Sequence, residues 1–184
     1  SLSQFDVPNR FVVNYTWEVP APKSGFLKHI LGGWQFSGIT AYQSGRPFTI
    51  WTGVDSNGDG TTGHDRPNLG SGSLNWDDEH RSFTNDGYVT VPLGTNNLPL
   101  ANSLGDGNLG RNADRSASFW NTDLSLLKRI HIGQRQLVLR ADAFNAFNQD
   151  AYGIPVVNMA NSGFGTNTNN WGQRVVTLSA KFIW

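Results

Sequence analysis

Apolar and polar residues alternate with the two-residue period of a strand in several stretches of this chain, and the longest such runs recur from end to end. In "RVVTLSAKFIW", Val176, Leu178, Ala180, Phe182 and Trp184 fall on one face, while Val175, Thr177, Ser179 and Lys181 fall on the other, joined by Ile183. In "RFVVNYTWEV", Phe11, Val13, Tyr15, Trp17 and Val19 oppose Val12, Asn14, Thr16 and Glu18. "NTDLSLLK" sets Thr122, Leu124 and Leu126 against Asn121, Asp123, Ser125 and Leu127. "QLVLRADAFNAFN" sets Leu137, Leu139, Ala141 and Ala143 against Val138, Arg140, Asp142 and Phe144. Gly33 to Thr52 reads as one long strand or a kinked pair, its alternation blurred by Gly38, Gly45 and Pro47. Helical periodicity is nearly absent; its best candidate, Gly25 to Ile30, is short and soon followed by Gly32-Gly33.

The connections are unequal. "PAPKSGFLKHILG" joins the first two strands and "GQR" joins the "NTDLSLLKRIHI" and "QLVLRADAFNAFN" strands. Gly53 to Ala117 and Gln149 to Gly172 are long stretches rich in Gly, Asn, Asp and Ser. In an up-and-down order the short turns share one side and the long connections the other, the asymmetry of outer-membrane barrels.

Alternation alone fits two environments. A sandwich strand also turns one face to a core and one to water. Three features favour a membrane. The polar faces carry charge in mid-strand (Glu18, Asp123, Arg140, Asp142, Lys181), as a wet lumen allows. Aromatics stand at strand ends (Trp17, Trp34, Trp51, Trp120, Trp184), as an interfacial girdle does. A connection as long as 53–117 is rare in a sandwich. The expectation is therefore an all-β chain: an antiparallel, up-and-down transmembrane β-barrel segment of five or six strands, the sixth arising if "GYVTVPL" pairs. The smallest single-chain membrane barrels use about eight strands, so residues 1–184 are expected to be the C-terminal part of a larger barrel or to pair with another chain.

Composition narrows the function. Lys plus Arg and Asp plus Glu are each 14, for a net charge of zero, which argues against a nucleic-acid partner. Only 15% of residues are charged, below the roughly 25% of soluble domains. With no cysteine, there is neither a disulfide framework nor a thiol nucleophile. No run of about 18 apolar residues predicts a membrane helix, and "SLSQFDVPNR" has no leader pattern.

The best candidate for chemistry is "DSNGDGTTGHD". Asp55, Asn57 and Asp59 at alternating positions, then Gly60, match the first half of a calcium loop. Arg66 stands where a bidentate Glu is expected, and Asp65 could replace it. The bland reading is a turn whose Asp and Asn side chains bond their own backbone. "GDGNLG" (Gly105, Gly107, Gly110) lacks the strand before and helix after that a dinucleotide site needs, and reads as a loop. His29, His64, His80 and His131 are scattered, Asp77, Asp78 and Glu79 read as a solvated acidic patch, and Asn14 of "NYT" lies in a strand. No catalytic constellation emerges, so no enzyme activity is expected. In "FNAFN", Phe144 and Phe147 read as rim packing, with Asn145 and Asn148 turning the chain.

The stretches "FDVPNRFVVNYTWEVP", "LGGWQFSGITAYQSGRPFTI", "DSNGDGTTGHDRPNLG", "GNLGRNADRSASFWNTDLSLLKRI", "LRADAFNAFNQ" and "LSAKFIW" resemble, in order, the C-terminal end of TonB-dependent outer-membrane receptors of the Oar-like group, which carry a carboxypeptidase-regulatory-like N-terminal domain. The resemblance implies a 22-strand barrel with an N-terminal plug, in which this chain is a wall segment serving nutrient or siderophore uptake or a structural surface role. This chain shows neither the plug nor the segment that contacts the energy-coupling protein. The resemblance thus implies either a portion of such a receptor or its barrel end put to another use. It also implies partners: outer-membrane lipid, the rest of the barrel, and the barrel-assembly machinery reading the last strand through Trp184. The competing expectation, from another class, is a soluble, calcium-stabilised extracellular β-module that binds a partner or a glycan.

Overall fold

A computed structural model of the chain describes residues 2–22, 24–77, 81–91 and 107–184. In chain order the elements are β1 (Arg10–Glu18), α1 (Phe26–Leu31), β2 (Trp34–Gln43), β3 (Pro47–Phe48), β4 (Asn68–Leu69), β5 (Ser73–Asp77), β6 (Ser82–Asp86), β7 (Val89–Thr90), β8 (Asp114–Arg115), β9 (Phe119–Ile132), β10 (Arg135–Phe144) and β11 (Val175–Ile183). They divide into two compact units.

One unit comprises Asn9–Gln43, Phe119–Ala151 and Trp171–Trp184. It is a five-stranded antiparallel sheet in the order β1-β2-β9-β10-β11. These strands are the five that the alternation predicts. They run 9 to 14 residues, enough to cross a bilayer at a tilt. The Gly33–Thr52 stretch breaks after Gln43; Pro47–Phe48 leaves the sheet and pairs with β8. Because residues directly opposite in register share a face, the alternation of single strands becomes rows across the sheet. Tyr15, Gly38, Leu124, Ala143 and Val176 form one apolar row; Trp17, Phe36, Leu126, Ala141 and Leu178 form the next. An aromatic row, Phe11, Tyr42 and Trp120, stands at one end.

This face is not buried. Phe11 is 64% exposed, Trp17 58% and Leu178 78%. Leu139 and Phe182 are exposed too, and every buried hydrophobic residue among those described lies in the other unit. A soluble sheet would put such a face into a core; here it looks outward. Gly38 serves the row by its missing side chain. The Tyr15 side chain lies over it, where an added Cβ would come within 2.5 Å of the hydroxyl oxygen and 2.6–2.8 Å of ring carbons, and Tyr15 tilts against Phe36 at 6.0 Å.

The strands are joined tightly at one end. Ile132 pairs with Arg135 across Gly133-Gln134, and Gly133 has φ 64°, a conformation suited to glycine at the first position of a two-residue hairpin turn. The β1–β2 connection contains α1, the one stretch where helical spacing was visible. At the other end, "FNAFN" makes a corner. Asn145 and Asn148 adopt the left-handed conformation (φ 49° and 52°), as expected of the residues that turn the chain. Asn145 is buried. Its N–H donates to Asp123 Oδ1 (2.8 Å), its Nδ2 to Gln149 O (2.7 Å) and Gly172 O (2.5 Å), and its Oδ1 accepts from Gln149 N (2.8 Å). One residue, through its backbone N–H and its side chain, thus ties β9, the end of β10 and the approach to β11.

The second unit comprises Ser1–Pro8, Ser44–Ser118 and Tyr152–Asn170. The long connections are therefore more than loops: 44–118 and 152–170 build a body with its own core of Phe48, Ile50, Phe83, Val89 and Leu109. Phe83 is its centre, stacked on Phe48 (6.1 Å) and met edge-on by Trp76 (5.3 Å) and Phe164 (5.2 Å). Trp51, expected in a girdle, lies in this unit instead. Its backbone is bonded to Val157 and Met159, and its ring meets His64 edge-on. Within "GYVTVPL", Val89–Thr90 pair with Asn68–Leu69 and add nothing to the large sheet; Pro92 and Leu93 lie outside the described residues.

Two stability predictions follow from this packing. Leu178→Arg, on the apolar face, should cost the membrane-inserted protein about 2–4 kcal/mol, whereas Ser179→Arg, one residue along and on the polar face, should change stability by less than about 0.5 kcal/mol; denaturant unfolding in lipid vesicles measures both. Asn145→Ala should cost about 2–3 kcal/mol through unpaired buried backbone groups. Asn145→Gly should cost about 1 kcal/mol less, because glycine accepts the left-handed backbone.

Candidate functional site: the polar face of the sheet and the Asp55–Asp65 turn

The face opposite the apolar rows gathers the mid-strand charges. Thr16, Ser37, Ser125, Asp142 and Thr177 share one row, and Glu18, Gln35, Leu127, Arg140 and Ser179 share the next. Arg129 and Lys181 flank Val138 in a third. Four of these charges are partnered, Glu18, Arg129, Arg140 and Asp142. Arg140 Nε donates to Asp142 Oδ1 at 2.9 Å, with Nη2 at 2.8 Å from the same oxygen. Arg129 Nη2 donates to Gln35 Oε1 at 2.6 Å, and its Nη1 lies 3.7 Å from Glu18 Oε1. These are partly exposed pairs, which in water add little stability; their effect is to line the face with anchored donors and acceptors. A groove of about 400 Å³ runs over it beside Asn14, Thr16, Asp123, Ser125, Arg140 and Asp142.

The turn singled out for cations is ordered by its own backbone. Asp55 Oδ1 accepts from the N–H groups of Gly58 (2.6 Å) and Asp59 (3.1 Å), and Oδ2 from Gly60 (2.9 Å). Asn57 Oδ1 accepts from Asp59 N–H at 2.9 Å. Asp59 Oδ1 accepts the Thr61 hydroxyl and N–H, both at 2.8 Å, and these bonds hold the Asp59 carboxyl below its usual range. Asp65 is fully buried, and its Oδ2 accepts from Ser56 N (2.5 Å), the Ser56 hydroxyl (3.1 Å) and Asn57 N (3.4 Å). Its Oδ1 has no hydrogen-bond partner among the described residues. The structure therefore brings Asp55, Asn57 and Asp59 into one turn and ties Asp65 to it through Ser56. Among the described residues no three His, Cys, Asp or Glu side chains converge as a metal-holding group.

The other candidates separate. Gly107 and Leu109 of "GDGNLG" bond the carbonyls of Arg66 and Pro67, as a packed loop; Gly105 lies outside the described residues, as do Asp78, Glu79 and His80. Phe147 packs on Trp120 at 5.9 Å, as rim packing requires. His29 lies in α1 and His131 in β9.

Two groupings were not foreseen. The Tyr88 hydroxyl donates to Asp114 Oδ1 at 2.9 Å; burial, then the Asp114 carboxylate, pushes the phenol up to about 12, and burial raises Asp114 against the opposing effect of that bond. These residues are 26 apart in sequence, so no local pattern links them. Lys128 did leave a signal: it continues the apolar series Leu124, Leu126 with a charge. It is 7% exposed, and its Nζ donates to His29 O (3.1 Å), Ile30 O (2.7 Å) and Gly32 O (2.6 Å).

Comparison with known proteins agrees with this geometry. No curated protein and no solved structure matches the chain. The family model of the outer membrane beta barrel domain matches residues 1–177. An exposed apolar face, a polar opposite face and strands of membrane-crossing length are what such a family requires, and the chain belongs to the outer membrane beta barrel domain family, with its place in the bacterial outer membrane.

Proposed function

We propose that the five-stranded sheet is an arc of the wall of a TonB-dependent receptor-like barrel, completed by further strands, and that the whole protein takes up a nutrient or siderophore. The observation that carries this reading is the polar face: charged side chains stand in mid-strand, two pairs of them (Arg129 with Glu18, Arg140 with Asp142) bonded to each other, opposite a face of exposed apolar residues. A wall between lipid and a wet lumen needs that division. Unpaired backbone along an edge is not tolerated in lipid, and β1 and β11 have only one neighbour each among the described residues, so the reading includes strands beyond these five. The chain leaves β2 at Gln43 and enters β9 at Phe119 at the strand ends opposite the short turns, the ends that face the cell exterior in such barrels. In cells that depend on the protein for a scarce nutrient, uptake should stop when the proton-motive force is dissipated and when the energy-coupling protein is deleted. Uptake indifferent to both would leave a barrel without this energy source and overturn the receptor reading.

A second reading concerns the turn, and one observation favours it: the buried Asp65 Oδ1 lacks a hydrogen-bond partner among the described residues. Asp55, Asn57, Asp59 and Asp65 offer side-chain oxygens, the donors a hard cation such as calcium takes. At a calcium concentration roughly a hundred-fold above its Kd, binding would stabilise the fold by about 2.7 kcal/mol. The expected result is a calcium-dependent rise in melting temperature that shrinks in Asp59→Ala. An equal rise in both proteins, or none in either, would remove this turn as a calcium site.

A further inference from the structure

The six residues of α1 carry their apolar side chains on one side. At about 100° per residue, Phe26, Leu27, Ile30 and Leu31 span an arc of roughly 140°, with Lys28 and His29 opposite. None of the six is buried. Phe26 is 78% exposed and Leu27 56%, an arrangement that water alone does not favour.

The helix is also pinned. Lys128 belongs to the apolar face by register, opposite Trp34 and Leu139. Its ammonium reaches the carbonyls of His29, Ile30 and Gly32, at and just past the C-terminus of α1, and lies 4.9 Å from the centroid of the Trp34 ring. Trp34 Nε1 adds a second bond to Ile30 O at 2.9 Å. A cation at a helix C-terminus meets the negative end of the helix dipole, and a cation on a lipid-facing surface is costly unless enclosed. Both conditions are met together here, and they hold the C-terminal end of α1 on the apolar side of the sheet.

We infer that α1 is an in-plane membrane anchor: its apolar arc sits among the phospholipids of the inner leaflet of the outer membrane, and Lys128 is the positioning residue that holds it there. This rests on the family's membrane setting. The occupant is lipid because the C-terminal end of α1 is held against the outward-facing apolar side of the sheet while its own apolar arc stays exposed, because α1 lies in a connection at the short-turn end, which faces the periplasm in such barrels, and because an apolar arc backed by Lys28 and His29 is the pattern of an interfacial helix.

The chain has no cysteine of its own, so single nitroxide labels can be placed in it once any cysteine elsewhere in the intact protein is replaced by serine. In the intact outer-membrane protein, reconstituted in phosphatidylethanolamine–phosphatidylglycerol vesicles, labels at Leu27→Cys and Leu31→Cys should be accessible to oxygen and protected several-fold from a water-soluble nickel relaxation agent. A label at Lys28→Cys should show the reverse. Lys128→Met should raise the mobility of the Leu27 and Leu31 labels. Equal nickel accessibility at all three positions would overturn the proposal. So would protection of Leu27 and Leu31 from both agents, the mark of a protein partner. An unchanged spectrum in a folded Lys128→Met protein would remove Lys128 from its role. Should that variant fail to fold, the three labels in the wild-type background still decide the anchor, and Lys128→Gln, which retains a donor, decides the pin.

Discussion

A strand that crosses hydrocarbon has no water to bond its backbone, so every N–H and C=O must find a partner along the sheet. The ladder of β1, β2, β9, β10 and β11 is the answer to that constraint here. It fixes the register, the register fixes the rows, and the rows fix which residues face outward. Once Tyr15 stands opposite Gly38 and Leu126 opposite Ala141, the apolar face is continuous across the strands. A slip of one residue in any strand would bring its polar positions into that face.

The two units are held by different forces. The sheet has no buried apolar core among its described residues; its apolar side chains are exposed and its cohesion lies in the backbone ladder. The other unit has short strand pairs and depends on aromatic packing around Phe83, with Ile50, Val89 and Leu109 closing the core. Packing of that kind draws on the hydrophobic effect, which lipid withholds from a membrane sheet.

Polar residues carry the exceptions. Asn145 stands buried at the corner after β10, where the chain needs a left-handed backbone and several orphan groups need partners; Asn fills both needs. Lys128 is a charge on the apolar face, tolerated because carbonyls and the Trp34 ring enclose it. Each breaks a pattern and serves as a tie between elements.

The sequence by itself determined the strands of the sheet and both of its faces, because a period of two is a local property and each strand displays it alone. It also placed the turn residues Asn145 and Asn148 and the backbone-closing chemistry of Asp55 and Asp59, since each interaction spans only a few residues; the helix Phe26–Leu31 forms where the pattern was too short to predict one. Only the tertiary structure decided that residues 44–118 and 152–170 form a cored body, because Phe48, Phe83, Leu109 and Phe164 are too far apart in sequence to show a period. It likewise moved Trp51 out of the girdle, joined Tyr88 to Asp114, and gave Lys128 its carbonyl partners near His29 and Gly32. The reason is the same in each case: a contact across dozens of residues leaves no trace in local alternation, and the fold alone brings its two halves together.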